Sequence, residues 1–351
     1  MDIAGEFALD AGITYLNTAS SGIGPLRAAE ALRTAAASWS GGTDDWLRHE
    51  RALSAARAAY ARITGVAAER VALGSSVSTH VGMIATALPA GAEVVLADGD
   101  FSSLVNPFAS RADVTVRTVP LEGIADAVRP ATALVAVSAV QSADGRVADL
   151  AAVREAASRH GARVLVDATQ AAGWLPLSAD GLDYVVCGGY KWLLAPRGVS
   201  FLTVREGAED GVSAQFAGWY AAEDPWDDCY GPVTRLARSA RRFDVLPPLL
   251  PYLAGAVSLG LVEELGVEAV GAHDTALAER FRAGLLRLGH KAVPSGARPS
   301  AIVAVPGLGD AAERLAAAGI RVSARAGNLR AAFHLYNTEA DVDRLLRVLA
   351  A

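Results

Sequence analysis

Two runs decide how the chain reads: Arg163-Val164-Leu165-Val166-Asp167-Ala168-Thr169-Gln170, then Tyr184-Val185-Val186-Cys187-Gly188-Gly189-Tyr190-Lys191. Each opens as an apolar, β-branched stretch without polar alternation, the pattern of a strand covered on both faces. Asp167 closes the first strand, and Lys191 follows the second, 24 residues further on. A carboxylate ending a wholly apolar strand is costly unless it has a partner, either a protonated ring nitrogen or a helix N-terminus. The lysine stands out by rarity: the chain has two, so thirty of its 32 basic side chains are arginine. Arginine keeps its proton, whereas lysine can lose one and attack a carbonyl as a neutral amine. Lys191 is therefore a candidate Schiff-base residue, with an ordinary helix-end or loop cation as the plainer alternative.

Working outward, short β-rich runs alternate with helical stretches through residue 205. Strands are expected near 70–73, 93–97, 114–119, 133–137, 163–166, 184–187 and 199–204. Helices are expected near 25–39, 46–63, 78–88, 102–110 and 150–160. The fold class is α/β, a large domain whose mostly parallel sheet is sandwiched by helices. Residues 206–240 read as an irregular crossing segment carrying Gly218-Trp219-Tyr220 and Pro225-Trp226. Beyond them, two long helices (250–265 and 267–288) lead into strand 301–305, helix 310–318, strands 321–323 and 329–334, and helix 339–349. The expected division is an N-terminal segment 1–20, a large domain 21–245 and a smaller α+β C-terminal domain 246–351.

Composition excludes several classes. Hydrophobic residues make up 52% and charged ones 20%, a globular balance with enough apolar surface for a large core. The net charge of −6 and the absence of a basic stripe argue against nucleic acid as a partner. Cys187 and Cys229 have no metal-ligand spacing and suit a reducing, cytoplasmic setting. The opening Met1-Asp2-Ile3-Ala4-Gly5-Glu6 is neither basic nor apolar, so no signal peptide is expected. Apolar runs are too short to span a membrane.

Two more runs sit at expected strand ends, where open α/β sheets hold ligands. Gly74-Ser75-Ser76-Val77-Ser78-Thr79-His80 leads from a strand into a helix through small polar residues. Such a turn cradles a phosphate with exposed amides and hydroxyls, or is simply a Ser/Thr cap. Phe101 follows the strand at 93–97 and is either a platform for a planar ring or a rim aromatic. A phosphate cradle, a ring platform, an acid for a pyridinium nitrogen and a lysine for an aldehyde are together what pyridoxal 5′-phosphate requires.

On these residues the chain resembles the class V aminotransferase family of fold-type I pyridoxal-phosphate enzymes, which includes cysteine desulfurases and kynureninases. The likeness runs from Tyr15-Leu16-Asn17-Thr18-Ala19-Ser20 to Tyr336-Asn337-Thr338-Glu339, and its most specific part is Asp167-x-x-Gln170 followed by Lys191. The resemblance implies that Lys191 joins the cofactor and moves the proton at the substrate α-carbon. Asp167 would pair with the ring nitrogen, Gln170 touch the ring's phenolic oxygen, and Phe101 stack on its face. Val77 and Ser78 would hold the phosphate, with Tyr190 reaching it too. Arg330 would clamp the substrate carboxylate, unless it is a surface arginine, and Asn17 would lie on the substrate side. A homodimer acting on a small-molecule amino acid substrate is implied.

The chain also departs from the family pattern. The stretch Arg325–Arg330 is short and has no cysteine where desulfurases carry their nucleophile, and Cys187 reads as a small core residue. Ala139 falls where relatives carry an asparagine near the ring oxygen, leaving Gln141 or Ser142 as substitutes. Leu246 or Pro247 replaces a small hydroxyl residue that commonly reaches the partner subunit's phosphate. The expected activity is transamination of an amino acid, with a C–S/β-lyase or kynureninase-like lyase as alternative. A non-catalytic cofactor-fold binding protein is a further one. A dinucleotide oxidoreductase fits poorly, because no GxGxxG follows the first strand.

Overall fold

The computed structural model describes Ile3 and residues 5–351. Met1, Asp2 and Ala4, part of the opening read above as free of a signal peptide, lie outside the described residues.

The chain begins with β1 (Thr14–Tyr15), α1 (Leu26–Ser40) and α2 (Trp46–Thr64). Then follow β2 (Val71–Gly74), α3 (Val77–Ala87), β3 (Glu93–Ala97), α4 (Ser102–Ala109), β4 (Thr115–Val119), α5 (Ile124–Ala127) and β5 (Thr132–Ser138). The large sheet is completed after α6 (Leu150–His160) by β6 (Arg163–Asp167), β7 (Tyr184–Gly188) and β8 (Ser200–Val204). Its order is β2-β8-β7-β6-β5-β3-β4. Only β8 runs against its neighbours, pairing antiparallel with both β7 and β2. The carboxyl ends of β2, β3, β5, β6 and β7 therefore share one edge.

Alternate residues of each strand bury into separate cores. Val71, Leu73, Val135, Val137, Val164, Val166, Val185 and Cys187 face one layer. Ala72, Leu134, Ala136, Leu165, Val186 and Leu202 face the other. Burial on both faces explains why these strands read as unbroken apolar runs. Segment 206–240 contains the short 3-10 turns Glu209–Gly211 and Trp219–Ala221 and an isolated antiparallel bridge between Ala222 and Leu236. Its aromatics gather with Trp46, whose ring centroid lies 5.1 Å from that of Trp219 and 5.8 Å from that of Trp226.

The C-terminal part comprises α7 (Leu249–Leu265), α8 (Val267–Arg287), β9 (Ile302–Val305), α9 (Ala311–Ala317), β10 (Ile320–Arg321), β11 (Ser323–Arg325), β12 (Asn328–Ala332) and α10 (Glu339–Ala350). Although it follows residue 245, α7 lies along α1 and α2. The strand expected at 321–323 divides: β10 pairs parallel with β1, whereas β11 turns into an antiparallel sheet of order β11-β12-β9. The β11–β12 turn uses Ala326 and Gly327 at φ 49° and 77°, left-handed values that a two-residue hairpin needs. Strand β12 ends at Ala332, so His334 lies beyond it.

Candidate active site

Five strand ends deliver the site. β2 leads to Ser75, Ser76 and Val77; β3 to Phe101 and Ser103; β5 to Ser138 and Ser142; β6 to Asp167, Thr169 and Gln170; β7 to Gly188, Tyr190 and Lys191. With Arg197, Gly198 and Val199 they wall one cavity of about 190 Å³. Parallel strands ending on one edge make this convergence a property of the fold.

Lys191 is 4% exposed, and its Nζ makes no hydrogen bond among the described residues. It lies 5.2 Å from the centre of the Phe101 ring and 5.7 Å from that of Tyr190. Burial disfavours the ammonium and pulls the pKa down to about 8, with the Asp167 carboxylate opposing. The backbone is fixed from the N-terminal segment: Gly22 N–H donates to the Tyr190 carbonyl at 2.9 Å. A Cβ at Gly22 would lie 2.0 Å from the Lys191 carbonyl oxygen, so only glycine permits this approach.

Asp167 is also 4% exposed, and its Oδ1 accepts from Thr169 N–H at 2.8 Å. Burial pushes its pKa up to about 6, against the hydrogen bonds from Thr169 and the charge of Lys191. The same cause acts on both groups: a closed, low-dielectric edge penalises either charge. They sense each other without forming an ion pair among the described residues, and both line the same cavity.

Gln170 is oriented from behind. The indole Nε1–H of Trp192 can only donate, and it meets Gln170 Oε1 at 2.8 Å. Gln170 Nε2 therefore points the other way, donating to Ser142 Oγ and to the Ala19 carbonyl, both at 2.9 Å. The Trp192 carbonyl meets His334 Nε2 at 3.1 Å, and His334 Nδ1 meets Asp274 Oδ2 at 2.7 Å. This buried pair ties α8 and the end of β12 to the lysine loop.

Arg330 is 2% exposed and has no carboxylate partner among the described residues. Its Nε donates to Ser323 Oγ at 3.1 Å, Nη2 to Ser20 Oγ at 2.8 Å, and Nη1 to the carbonyl and hydroxyl of Ser142. Burial, together with the nearby charge of Arg325, lowers its pKa to about 10, so it stays cationic at neutral pH. It stands behind Ser142, which itself faces the cavity.

Of the residues singled out from sequence, Lys191, Asp167, Gln170, Phe101, Val77 and Tyr190 wall the cavity. Ser78 lies in the first turn of α3 with its hydroxyl 3.2 Å from Ser76 Oγ, and it is not part of the wall. Nor is Asn17, which bridges to Ala332 through its backbone while its Oδ1 is buried without a hydrogen bond. Ala139 is packed in the core, and Gln141 turns away to donate to Asp100 at 3.1 Å. Ser142 is the residue left facing Gln170.

Sequence reasoning missed Asp100, Trp192 and Arg197. Asp100 accepts from Phe101 N–H at 2.7 Å, Ser138 N–H at 2.8 Å and Ser138 Oγ–H at 2.5 Å, joining two strand ends beneath Phe101. An acid just past an apolar strand had already marked Asp167, and the same signal was present in Asp98-Gly99-Asp100.

The residues fit pyridoxal phosphate. The amides of Val77 and Ser78, opening α3, have no protein acceptor among the described residues. Phe101 offers a ring that is 41% exposed, at a site where apolar surface would otherwise be covered. A buried amine without a hydrogen bond and a buried carboxylate line the same cavity, an arrangement that is costly without a ligand to partner them.

Comparison with known proteins agrees. The family model described as Aminotransferase class-V matches residues 40–345. An uncharacterized aminotransferase of Bacillus subtilis, YcbU, is 29% identical over 311 residues, covering 84% of this chain and 82% of that one. Isopenicillin N epimerase of Streptomyces clavuligerus is 29% identical over 309 residues, covering 79% and 76%. Among solved structures, the cystine C–S lyase C-DES, in complex with its product cysteine persulfide, superposes with a TM-score of 0.86 at 25% identity. That match covers 97% of this chain and 98% of the lyase. The chain belongs to the class V aminotransferase family and is a pyridoxal-phosphate-dependent enzyme of fold type I.

Proposed function

We propose that the enzyme transaminates an α-amino acid, with Lys191 as the residue that joins the cofactor and shuttles the proton. One observation carries this reading: the buried, unbonded amine of Lys191 in one cavity wall with the buried Asp167. When bound, pyridoxal phosphate supplies an aldehyde for the amine and a ring that draws electrons from the substrate α-carbon. The chain does the rest. Lys191, its pKa near 8, would take a proton from the substrate α-carbon and deliver it to the cofactor carbon that carried the aldehyde. Asp167 holds a proton on the ring nitrogen, and that cationic partner offsets the burial that otherwise raises its pKa. Gln170 Nε2, aimed by Trp192, would reach the ring oxygen by redirecting the N–H that now donates to Ser142 Oγ. Phe101 covers one ring face and excludes water. Val77 and Ser78 amides take the phosphate, with Tyr190 beside them. Arg330 and Ser142 orient the substrate carboxylate, a task suited to a fixed guanidinium fork.

The likeness to the C–S lyase supports a second reading, β-elimination from a sulfur-bearing amino acid. Both cysteines are free thiols; Cys187 is buried in β7 with its thiol pKa pushed well up, which disfavours a protein persulfide route. The test is a panel of amino acids incubated with the cofactor-loaded enzyme, with and without keto acids. Transamination requires the keto acid and leaves a new amino acid; pyruvate released without one would replace it by elimination.

A homodimer is the assembly we propose. Tyr230, 94% exposed, and Trp226 and Phe216, also exposed, support a covered face around segment 206–240. Sedimentation at two concentrations tests it. No helix among the described residues is long and apolar enough to cross a membrane. That and the free thiols support a cytoplasmic location, which fractionation would test.

A further inference from the structure

We infer that Arg197 binds the cofactor's phosphate, supplying from within the same chain the one cation that its cradle otherwise lacks. The inference rests on the reading of Lys191 and Asp167 given above.

The position follows from the sheet. β8 pairs antiparallel with β2, and the register ends with Gly74 opposite Ser200. Past that pair the two chains run on side by side, one forward into Ser75, Ser76 and Val77, the other back through Val199 and Gly198 to Arg197. All six residues wall the same cavity.

The charge balance then makes Arg197 distinctive. The groups at the start of α3 are neutral donors: the free amides of Val77 and Ser78 and the hydroxyls of Ser75 and Ser76. Ser76 Oγ is partly spent as the helix cap, accepting from Thr79 N–H at 3.3 Å. A phosphate monoester carries close to two negative charges at neutral pH. Among the cavity-lining residues only Lys191 and Arg197 are cationic, and Lys191 is committed to the aldehyde. Arg197 is also idle. Most arginines here hold a carboxylate or a carbonyl, but Arg197 makes no hydrogen bond and no ion pair among the described residues. Its Cζ lies 4.2 Å from the centre of the Tyr190 ring. Stacking on that face holds the guanidinium plane while leaving its N–H edge available.

The test compares pyridoxal phosphate with pyridoxal, which lacks the phosphate. Apoprotein, Arg197→Gln and Arg197→Lys are titrated with each, following tryptophan fluorescence and cofactor absorbance. Arg197→Gln should weaken pyridoxal phosphate by about 10- to 100-fold, as for a lost charge-assisted contact, with pyridoxal changed less than about twofold. Arg197→Lys should recover part of the loss. In ³¹P spectra the bound phosphate should stay dianionic across pH 5.5–8 in the parent and titrate within that range in Arg197→Gln. Equal weakening of both aldehydes, or no change in either, would overturn the assignment while leaving Lys191 in its role. A parent protein that takes up neither aldehyde would overturn the Lys191 reading and this inference with it.

Discussion

Among the described residues, each lobe buries one Lys or Arg without an ion-pair partner, and the two are treated in opposite ways. On the large sheet, Lys191 is given no hydrogen bond, and burial brings its pKa to about 8. In the small lobe, Arg330 is surrounded by neutral oxygens from Ser20, Ser142 and Ser323, and it keeps its charge despite a pKa lowered to about 10. Arg57 shows what an ordinary structural cation looks like here: its Nη2 lies 2.5 Å from Asp244 Oδ2, a carboxylate wholly buried. The contrast separates two jobs. A lysine left unsolvated is ready to lose its proton, and on the proposed reading an arginine solvated by hydroxyls waits for an anion to arrive.

The largest expected effect falls on the lysine. Lys191→Ala should cost about 10⁴-fold or more in turnover, since it removes both the nucleophile and the proton carrier. Borohydride treatment of the loaded parent, followed by peptide mapping, should place the reduced adduct on Lys191; an adduct elsewhere would break the comparison. Asp167→Asn comes next. It should leave the covalent attachment in place and lower kcat by about 10²–10³-fold, the loss of a fixed charge facing the ring nitrogen.

The lowered lysine pKa predicts a pH dependence of known sign. Only the neutral amine attacks an aldehyde, and its fraction falls as pH drops below about 8. Cofactor capture by apoprotein should therefore speed up about tenfold per pH unit from 6 to 8 and then level off. An unshifted lysine, with its pKa near 10.5, would show the same slope continuing to about pH 10. Stopped-flow absorbance at constant ionic strength distinguishes the two.

Arg330→Ala should act on the other half of the comparison. It should raise KM for amino acids by about 10- to 100-fold and leave cofactor affinity unchanged, as for a lost charge-assisted hydrogen bond. A shift confined to kcat would remove it from the carboxylate role.

The legibility of these features in the sequence followed their physical origin. Strands buried on both faces announce themselves as apolar runs, so β5, β6 and β7 were readable within a residue or two, and so were Asp167 and Lys191 at or just past their ends. The edge they share follows from the parallel sheet. What was not readable depends on which way a turn residue faces. Ala139, Gln141 and Ser142 lie within four positions, yet one enters the core, one turns to Asp100 and one faces the cavity. No periodicity distinguishes them, because hydrogen bonding to Asp100 sets the turn. Asn17 is outside the cavity wall, held by a backbone bridge to Ala332 that no motif announces. The division of strand 321–323 between two sheets depended on β1, a two-residue strand too short to read from sequence.

Ser142 joins the two halves and gives the smallest effect. Its hydroxyl accepts from Gln170 Nε2 at 2.9 Å and from Arg330 Nη1 at 3.3 Å, so one oxygen touches both the amide proposed to face the cofactor and the guanidinium proposed to hold the substrate. Ser142→Ala removes that oxygen but leaves the Ser142 carbonyl, which also accepts from Arg330. The arginine should therefore stay in place, and the loss should be about 3- to 10-fold in kcat/KM, near 1 kcal/mol. Its coupling to Arg330→Ala is the sharper measurement. If the hydroxyl works by holding the guanidinium, the double variant should be no worse than Arg330→Ala alone. If it works through Gln170 on the cofactor, the two losses should multiply. The first outcome would place Ser142 with the anion-waiting arginine, and the second would place it with the proton-moving lysine.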